Sequence, residues 1–360
     1  MFVYILGICF FIYSLTLLVV FNEKLSKDYL KLPYALSGLF FSCFIALNVE
    51  NLSRDYINYI SWFRGLYTYS LTEIILLGGM DSGKDIGFQF LVALIQKIIS
   101  PEYYVIYFVF SWFIFYFKYK VCTFLNFNLS IILAVWLFFS QTFILFEITQ
   151  IRAGLAIALT TYAIVRGIYF QKNNLWTALT FLLAISIHIS VLFLVILYYL
   201  YVLRKFNVSK FLVIGLIFSS FILKFLFSNT IVSTFITYFS NNLRFEDYLD
   251  SNENLSLLSV FLISKILIIF LLSFFWENLN DFKKFIVLLS SIGCALQITL
   301  SFNATLGLRF SELFILFSML TFVFPLEIKS INSITKSFYL FIILSFSFIF
   351  FYSTTKIVIG

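Results

Sequence analysis

Long apolar runs follow one another along almost the whole chain, and short polar segments separate them. An apolar helix of about 20 residues, at a rise of about 1.5 Å per residue, spans the hydrocarbon core of a bilayer. Runs that approach or reach this length cover residues 2–21, 33–50, 103–117, 129–149, 153–170, 210–227, 256–276, 285–302, 308–326 and 337–357. The sequence does not show the strand and turn alternation of a barrel. The pattern predicts an all-α polytopic membrane protein with about 10 to 12 transmembrane helices.

Two further apolar segments do not fit a simple spanning helix. The segment 87–99 is short and amphipathic, and Pro101 closes it. The segment 175–203 is too long for one span and too short for two full ones. The positive-inside rule counts lysines and arginines between the spans, among them Lys118 and Lys283, as charges of cytoplasmic loops. All these basic loops fall on the cytoplasmic side only if 87–99 is re-entrant or interfacial and 175–203 is a broken helical hairpin that turns near His188. Irregular backbone at membrane depth is tolerated where it lines a cavity, so we expect both segments to border the working site.

Composition supports this class and excludes others. Hydrophobic residues make up 62% of the chain, charged residues 11%, and the mean hydropathy is +1.03. Residues 1–360 therefore read as a single integral membrane domain, with polar external loops at 51–86 and 228–256. The net charge of +7 comes from basic residues scattered singly, so we expect no nucleic-acid partner. The four cysteines have no paired short spacing, which argues against a disulfide framework or a metal site.

Five cationic residue positions flank the apolar runs on the predicted external side. A cation within or beside the bilayer costs roughly 2 to 3 kcal/mol even on the lenient insertion scale, so such a residue is read as functional by default. Several of them on one face indicate an anionic ligand. The set comprises Arg54, Arg152, His188, Arg244 and Arg309.

Arg152 follows Gln150 at a predicted bend in QTFILFEITQIRAGLAIAL. An arginine can bind phosphate with two parallel hydrogen bonds, and a helix start nearby adds free N–H groups and a positive dipole end. Arg152 and the N–H groups of the helix start would together suit a pyrophosphate group. Alternatively, Arg152 extends to the lipid interface, or Glu147 neutralises it.

His188 occupies the predicted turn of the hairpin. Imidazole exchanges a proton near neutral pH, so His188 could act as general base towards a sugar hydroxyl. The alternative is a buried histidine that bonds a backbone carbonyl. A zinc site is not expected, because a lone histidine without cysteine or carboxylate at ligand spacing cannot fill the coordination sphere.

The run SRDYINYISWF places Arg54, Asp55, Tyr59 and Trp62 just outside the second apolar run. Carboxylate and aromatic groups suit the hydroxyls and C–H faces of a sugar. Tyr and Trp are also ordinary residues of the membrane interface, and Asp55 could form a salt bridge with Arg54.

The last two candidates lie late in the chain. Arg244 could clamp a charged substrate, or it could simply solvate an acidic loop. Arg309 could bind the same ligand, or it could form a helix-stabilising pair with Glu312 three residues on.

At these residues the chain resembles the EpsG-like branch of the Wzy-type polysaccharide polymerases, which make O-antigen, capsule and exopolysaccharide in bacteria. The order of several short motifs carries the resemblance, and together they cover most of the chain. The family's more usual Arg-Gln pair is Arg-Ala here, at Arg152 and Ala153. The matching motifs are DYINYISWF, GFQFLVALI, QIRAGLAIAL, FLLAISIHISVLFL and GLRFSELF.

The resemblance implies a multi-pass glycosyltransferase of the bacterial inner membrane with its active site on the periplasmic side. Its substrates would be undecaprenyl-pyrophosphate-linked oligosaccharides in contact with membrane lipid, and a chain-length regulator is a candidate partner. Such enzymes transfer the growing chain from its lipid carrier to an incoming unit, as in lipopolysaccharide O-antigen synthesis. Neither a cofactor nor a metal is implied. His188 and Arg152 would be catalytic, and Arg54, Asp55, Tyr59, Gln150, Arg244 and Arg309 would bind substrate.

Two other function classes remain open. A lipid-linked oligosaccharide flippase would also be basic and many-spanning, but it should carry cations deep in a central cavity between pseudo-symmetric halves. A membrane O-acyltransferase that modifies surface sugars could use a similar Arg and His set, with basic residues favoured on the cytoplasmic face.

Overall fold

The structure is a computed structural model, and it describes residues 2–20, 26–53, 55–79, 85–170, 175–204, 208–226, 255–257 and 259–359. Within these residues the regular structure is entirely helical. The chain forms two compact units, which are described separately. The first contains residues 1–204 and 339–360, and the second contains residues 205–338.

The first unit holds the N-terminal helices and most of the C-terminal helix. The helices are α1 Phe2–Val20, α2 Lys31–Leu52, α3 Tyr56–Tyr67, α4 Leu71–Leu77, α5 Ile86–Ile98, α6 Tyr103–Cys122, α7 Asn128–Thr142, α8 Ile151–Phe170, α9 Leu175–Ile187 and α10 Leu192–Arg204. A π-helical segment, Phe143–Thr149, lies between α7 and α8, and a 3₁₀ turn, Ile189–Val191, lies between α9 and α10.

Aromatic side chains fill the centre of the first unit. Phe41 of α2 packs against Phe10 of α1 and Phe139 of α7, with ring centroids 4.7 and 4.8 Å apart. The indole N–H of Trp136 donates a 2.6 Å hydrogen bond to Ser347 Oγ. Ser347 lies on the C-terminal helix, so this bond joins α7 to the end of the chain. These contacts explain why so phenylalanine-rich a sequence packs into one body, since each ring buries a large area.

The chain reverses direction at His188, as the sequence predicted. His188 has extended backbone angles between α9 and the 3₁₀ turn. Phe181 of α9 and Tyr198 of α10 pack with ring centroids 5.1 Å apart. Residues 17 positions apart in a straight helix would be separated by about 25 Å, so the two short helices must fold back on each other.

The segment predicted as a long polar loop, 51–86, is largely helical where it is described. Ile60, Phe63 and Leu66 recur on one side of α3 and are buried. A capping box begins α4, because Ser70 Oγ accepts from the Glu73 amide and the Glu73 carboxylate accepts from the Ser70 amide. Asp55 is the N-cap of α3 and Tyr59 lies on this helix, and both α3 and α4 pack against α5. The expected loop 228–256 lies almost wholly outside the described residues.

The second unit is built around the helix Asp281–Thr299. Gly293 of this helix faces the Phe314 side chain, and an added Cβ would lie 2.5 Å from Phe314 Cβ. The helix and the segment around Phe314 therefore approach closely. Two buried lysines lie here: Lys283 pairs with Glu327 at 2.9 Å, and Lys265 donates to Gln297 Oε1 at 2.9 Å. The helices are α11 Lys210–Leu226, α12 Val260–Phe274, α13 Asp281–Thr299, α14 Ala304–Glu312 and α15 Ile315–Thr321, and α16 Ser333–Ile359 continues into the first unit.

Several apolar helices support a membrane protein, while the predicted count of 10 to 12 spans is not confirmed by the described residues. Among the described residues, six helices are long and apolar enough to cross a bilayer, or seven if the bent pair α14 and α15 forms one span. Other apolar helices, such as α5, α9 and α12, are only 13 to 15 residues long. Two lysines that the positive-inside count took as loop residues, Lys118 and Lys283, are instead buried in ion pairs.

Candidate active site

Three polar side chains from distant parts of the sequence meet in the first unit. The Asp85 carboxylate lies between Arg152 Nη1, at 2.6 Å from Oδ2, and His188 Nδ1, at 3.8 Å from Oδ1. The side chains of Arg152 and His188 remain 23% and 22% exposed, whereas that of Asp85 is 9% exposed. We call Asp85, Arg152 and His188 the Asp85 cluster. It is sheltered but open to a ligand.

Asp85 is held by the start of α5 in an unusual backbone conformation. Its φ of 52° is in the left-handed region, which few residues other than glycine adopt. Although Asp85 is the N-cap of α5, its side chain does not cap the helix and instead bonds Arg152. Backbone strain of this kind is often found at functional sites.

Gly87 brings the start of α5 against α9. A Cβ at Gly87 would overlap the Ser186 side chain and lie 2.8 Å from the Ser186 backbone carbon. Ser186 is two residues before His188. The absence of a side chain at Gly87 therefore lets the Asp85 carboxylate approach the His188 turn.

Arg152 is positioned by a break in the helix. Gln150 leaves helical geometry with φ −111° and ψ 53°, and α8 begins directly after it. The Arg152 guanidinium carbon lies 5.4 Å from the centre of the Trp62 ring, and the Trp62 ring stacks on Phe88 at 5.4 Å. Arg152 is thus held by a charge contact and an aromatic contact. This geometry does not support the alternative in which the side chain extends to lipid.

Electrostatics keep the Asp85 carboxyl ionised. Burial by itself raises the pKa of Asp85, but the neighbouring His188 and the charge of Arg152 outweigh it, so the pKa lies below its usual value of 3.8. The 3.8 Å between Asp85 and His188 Nδ1 is too long for a hydrogen bond, and Nδ1 has no other partner among the described residues. A shorter distance would form that bond and leave Nε2 as the ring nitrogen that could accept a proton.

The cluster contains two of the eight predicted site residues, and three more are described elsewhere in the first unit. Gln150 directly precedes α8 and is 9% exposed, and its Oε1 has no hydrogen-bond partner in the described part of the chain. Tyr59 lies one turn before Trp62 on α3, with its ring 6.2 Å from Phe88. Asp55 is the N-cap residue of α3.

The other three predicted residues lie either outside the described residues or in the second unit. Arg54 and Arg244 lie outside the described residues, as does any Arg54–Asp55 salt bridge. Arg309 belongs to the second unit, on α14, where its side chain is 46% exposed and 3.8 Å from Glu312. The helix-stabilising pair considered as its alternative is therefore present.

The alternative in which Glu147 neutralises Arg152 is wrong. Glu147 does not pair with Arg152; its carboxylate binds Lys118 Nζ at 2.7 and 2.8 Å. Sequence reasoning also missed Asp85 and Lys118 as partners. The available signal for Asp85 was its place directly before the segment 87–99, which was expected to border the site.

A model of the EpsG family matches residues 31–358, which is nearly the whole chain. The chain belongs to the EpsG family. EpsG is a family of Wzy-like polymerase type, so the predicted relationship is confirmed. No curated protein and no solved structure matches the chain.

The EpsG match includes all three residues of the Asp85 cluster. Among the described residues of this EpsG protein, no group of three or more His, Cys, Asp and Glu side chains could hold a metal ion. The chemistry that the cluster offers is proton transfer at an imidazole beside a carboxylate, together with anion binding at a guanidinium.

Proposed function

We propose that this protein is a membrane glycosyltransferase that polymerises undecaprenyl-pyrophosphate-linked oligosaccharide repeat units into O-antigen, capsular polysaccharide or exopolysaccharide. Family membership supports the polymerase class. The single observation that supports the site is the Asp85 cluster, in which a sheltered carboxylate contacts an arginine at 2.6 Å and approaches the only histidine of the chain.

His188 is proposed as the general base. The carboxylate of Asp85 faces Nδ1, so Nε2 is the nitrogen left to accept a proton from the acceptor hydroxyl. A carboxylate that orients the imidazole and stabilises the imidazolium is a recurrent arrangement in acyl-transfer enzymes. The same pairing would serve a sugar hydroxyl, because it is also a weak acid that must lose its proton on attack.

Arg152 is proposed to bind the pyrophosphate that leaves. Its contact with Asp85 uses one guanidinium nitrogen, Nη1, and a guanidinium carries five N–H donors. The side chain lies in the first turn of α8, where free backbone amides and the positive end of the helix dipole favour an anion. These donors would stabilise negative charge as it grows on the departing phosphate.

The reaction exchanges one C–O bond for another at the anomeric carbon and transfers one proton. The acceptor hydroxyl oxygen attacks the anomeric carbon of the donor sugar and forms a glycosidic bond. The bond from that carbon to the pyrophosphate oxygen breaks, and the electron pair leaves with undecaprenyl pyrophosphate. The hydroxyl proton passes to His188 Nε2. Neither a nucleotide nor a metal is needed for this balance.

The remaining sequence-predicted residues complete the proposal. Gln150, Tyr59 and Asp55 would contact the sugars or the phosphate, and Arg54, Arg244 and Arg309 stay proposed substrate-binding residues on the basis of their positions in the sequence. The site would face the periplasm from the bacterial inner membrane, with a chain-length regulator as a partner.

The polysaccharide ladder of a deletion strain tests the proposal. We expect the wild-type gene to restore long chains, and His188→Ala to leave only the band of a single repeat unit. Arg166→Lys is the control for a substitution away from the Asp85 cluster. Arg166 lies on α8, about four turns from Arg152, so this variant should keep the full ladder. Long chains with His188→Ala at normal protein level would refute the assignment. Loss of the single-unit band in the deletion strain would indicate transport instead.

A further inference from the structure

A buried ion pair lies beside the segment that leads to the active-site arginine. Lys118 of α6 and Glu147 of the π-helical segment have side chains only 4% and 3% exposed. Lys118 Nζ donates to both Glu147 oxygens, at 2.7 and 2.8 Å, and to Thr142 Oγ1 at 2.6 Å. All three donors of the ammonium group are therefore used.

Such a pair is costly to place in an apolar interior. Removing two charges from water is seldom repaid in stability, and well-packed apolar residues often serve as well or better. Ionisable residues inside membrane helices are accordingly rare and usually serve a function. Lys118 and Glu147 are not part of the Asp85 cluster, so a different role is needed.

The position of the pair suggests that role. Glu147 lies within the π-helical segment Phe143–Thr149, and π-helical turns are frequent at functional sites. Lys118 also lies 5.4 Å from the Phe146 ring centre, and Ser111 Oγ donates to the Glu147 carbonyl at 3.0 Å. Residues of α6 thus hold this segment through a side chain, a ring and the backbone.

The segment in turn holds the first turn of α8. A Cβ at Gly154 would lie 2.7 Å from Phe146 Cβ and 2.9 Å from the Phe146 carbonyl oxygen, so the two segments are in direct contact. The Gln150 amide donates to the Leu145 carbonyl at 2.7 Å, which ends the π-helical segment two residues before Arg152. A shift of Phe146 would therefore move Arg152.

We propose that Lys118 and Glu147 are positioning residues that lock the π-helical segment in register, so that the first turn of α8 presents Arg152 to Asp85. The structural part of this inference is independent of the reaction, and its consequence for catalysis rests on the proposed function. A misplacement of about 1 Å at a reacting group can cost about a hundredfold in rate.

The first test measures the coupling between Arg152 and Asp85 in purified protein in detergent. A double-mutant cycle of Asp85→Asn and Arg152→Gln, followed by thermal unfolding, gives their interaction. We expect this interaction in the wild-type background and its loss with Lys118→Met/Glu147→Met. The control background is Lys283→Met/Glu327→Met, which removes a second buried Lys–Glu pair, in the second unit, and should retain the coupling.

A second variant keeps the test decisive if Lys118→Met/Glu147→Met does not fold. Glu147→Asp keeps the charge but shortens the side chain by one methylene, and we expect it to weaken the coupling. Unchanged coupling with Lys118→Met/Glu147→Met overturns the inference. If Lys118→Met/Glu147→Met does not fold, unchanged coupling with Glu147→Asp overturns the inference.

The second test measures turnover. We expect Lys118→Met/Glu147→Met to lower kcat at least tenfold while KM changes less than threefold, because Arg152 acts on charge that develops in the transition state. A kcat within twofold of wild type in the folded variant would contradict the catalytic part. If wild-type protein makes no polymer at all, the proposed function fails, and the coupling experiment still decides the structural part.

Discussion

At the scale of single residues, Asp85 contacts Arg152 and approaches His188, two of the candidates that the sequence identified. Arg152 and His188 could be chosen from sequence because a cation or an imidazole inside an apolar run is costly and therefore conspicuous. Asp85 could not, because it lies among other acidic residues of a polar segment. Its contact with Arg152 joins residues 67 positions apart. Local pattern carries no information on such a pairing.

The ionisation of Asp85 gives a pH-dependent prediction. Because its pKa is lowered in the folded protein, the ionised carboxylate stabilises the fold above pH 3.8, and this stability is lost as the pH falls through the lower folded value. Asp85→Asn should lower the free energy of unfolding by about 2 kcal/mol at pH 7, a typical cost for a hydrogen bond to a charged group. Thermal unfolding in detergent between pH 3 and 7 measures this.

The control for this experiment is a carboxylate with a surface partner. Asp28 binds Lys31 at 2.7 Å, but the two side chains are 74% and 64% exposed, so Asp28→Asn should leave stability unchanged. An Asp85→Asn variant with wild-type stability at pH 7 would show that the Arg152 contact does not stabilise the fold.

At the scale of elements, the sequence predicted the interruptions of helices better than the extents of the helices themselves. The bend before Arg152 and the turn at His188 are both present, because apolar runs of unsuitable length must be interrupted. The π-helical geometry of residues 143–149 was not predictable, since it depends on contacts with α6. The helices α3 and α4 were overlooked, although Ser70 and Glu73 have the spacing of a capping box and α3 has apolar residues at helical intervals.

The contact between α5 and α9 can be tested at Gly87. Gly87→Ala should lower the free energy of unfolding by about 1 to 3 kcal/mol, the usual cost of overpacking, and should also lower polymer synthesis, because the start of α5 carries Asp85. Thermal unfolding and the polysaccharide ladder measure the two effects. Gly215→Ala is the matched control, since nothing lies within 4 Å of an added Cβ there; it should be neutral or slightly stabilising. Full activity of Gly87→Ala would exclude a role for this contact.

At the scale of the whole molecule, hydropathy predicted the class of all-helical membrane proteins but not the number of spans. An all-helical membrane protein follows from 62% hydrophobic residues, and family membership follows from the order of short motifs. The span count does not, because a run of apolar residues has the same pattern whether its helix crosses the bilayer, stops half-way or bends. Lys118 and Lys283 were counted as loop charges for a similar reason, since burial in an ion pair leaves no mark on the local sequence.

The proposed function requires that a sugar hydroxyl is activated and a lipid pyrophosphate departs at the Asp85 cluster. The most direct measurement uses purified protein in proteoliposomes with undecaprenyl-pyrophosphate-linked repeat units from the source organism. It follows the release of undecaprenyl pyrophosphate together with chain length. We predict one pyrophosphate lipid released for each new glycosidic bond in wild type, and a rate at least a hundredfold lower with His188→Gln at unchanged thermal stability. Wild-type turnover in His188→Gln would contradict this account.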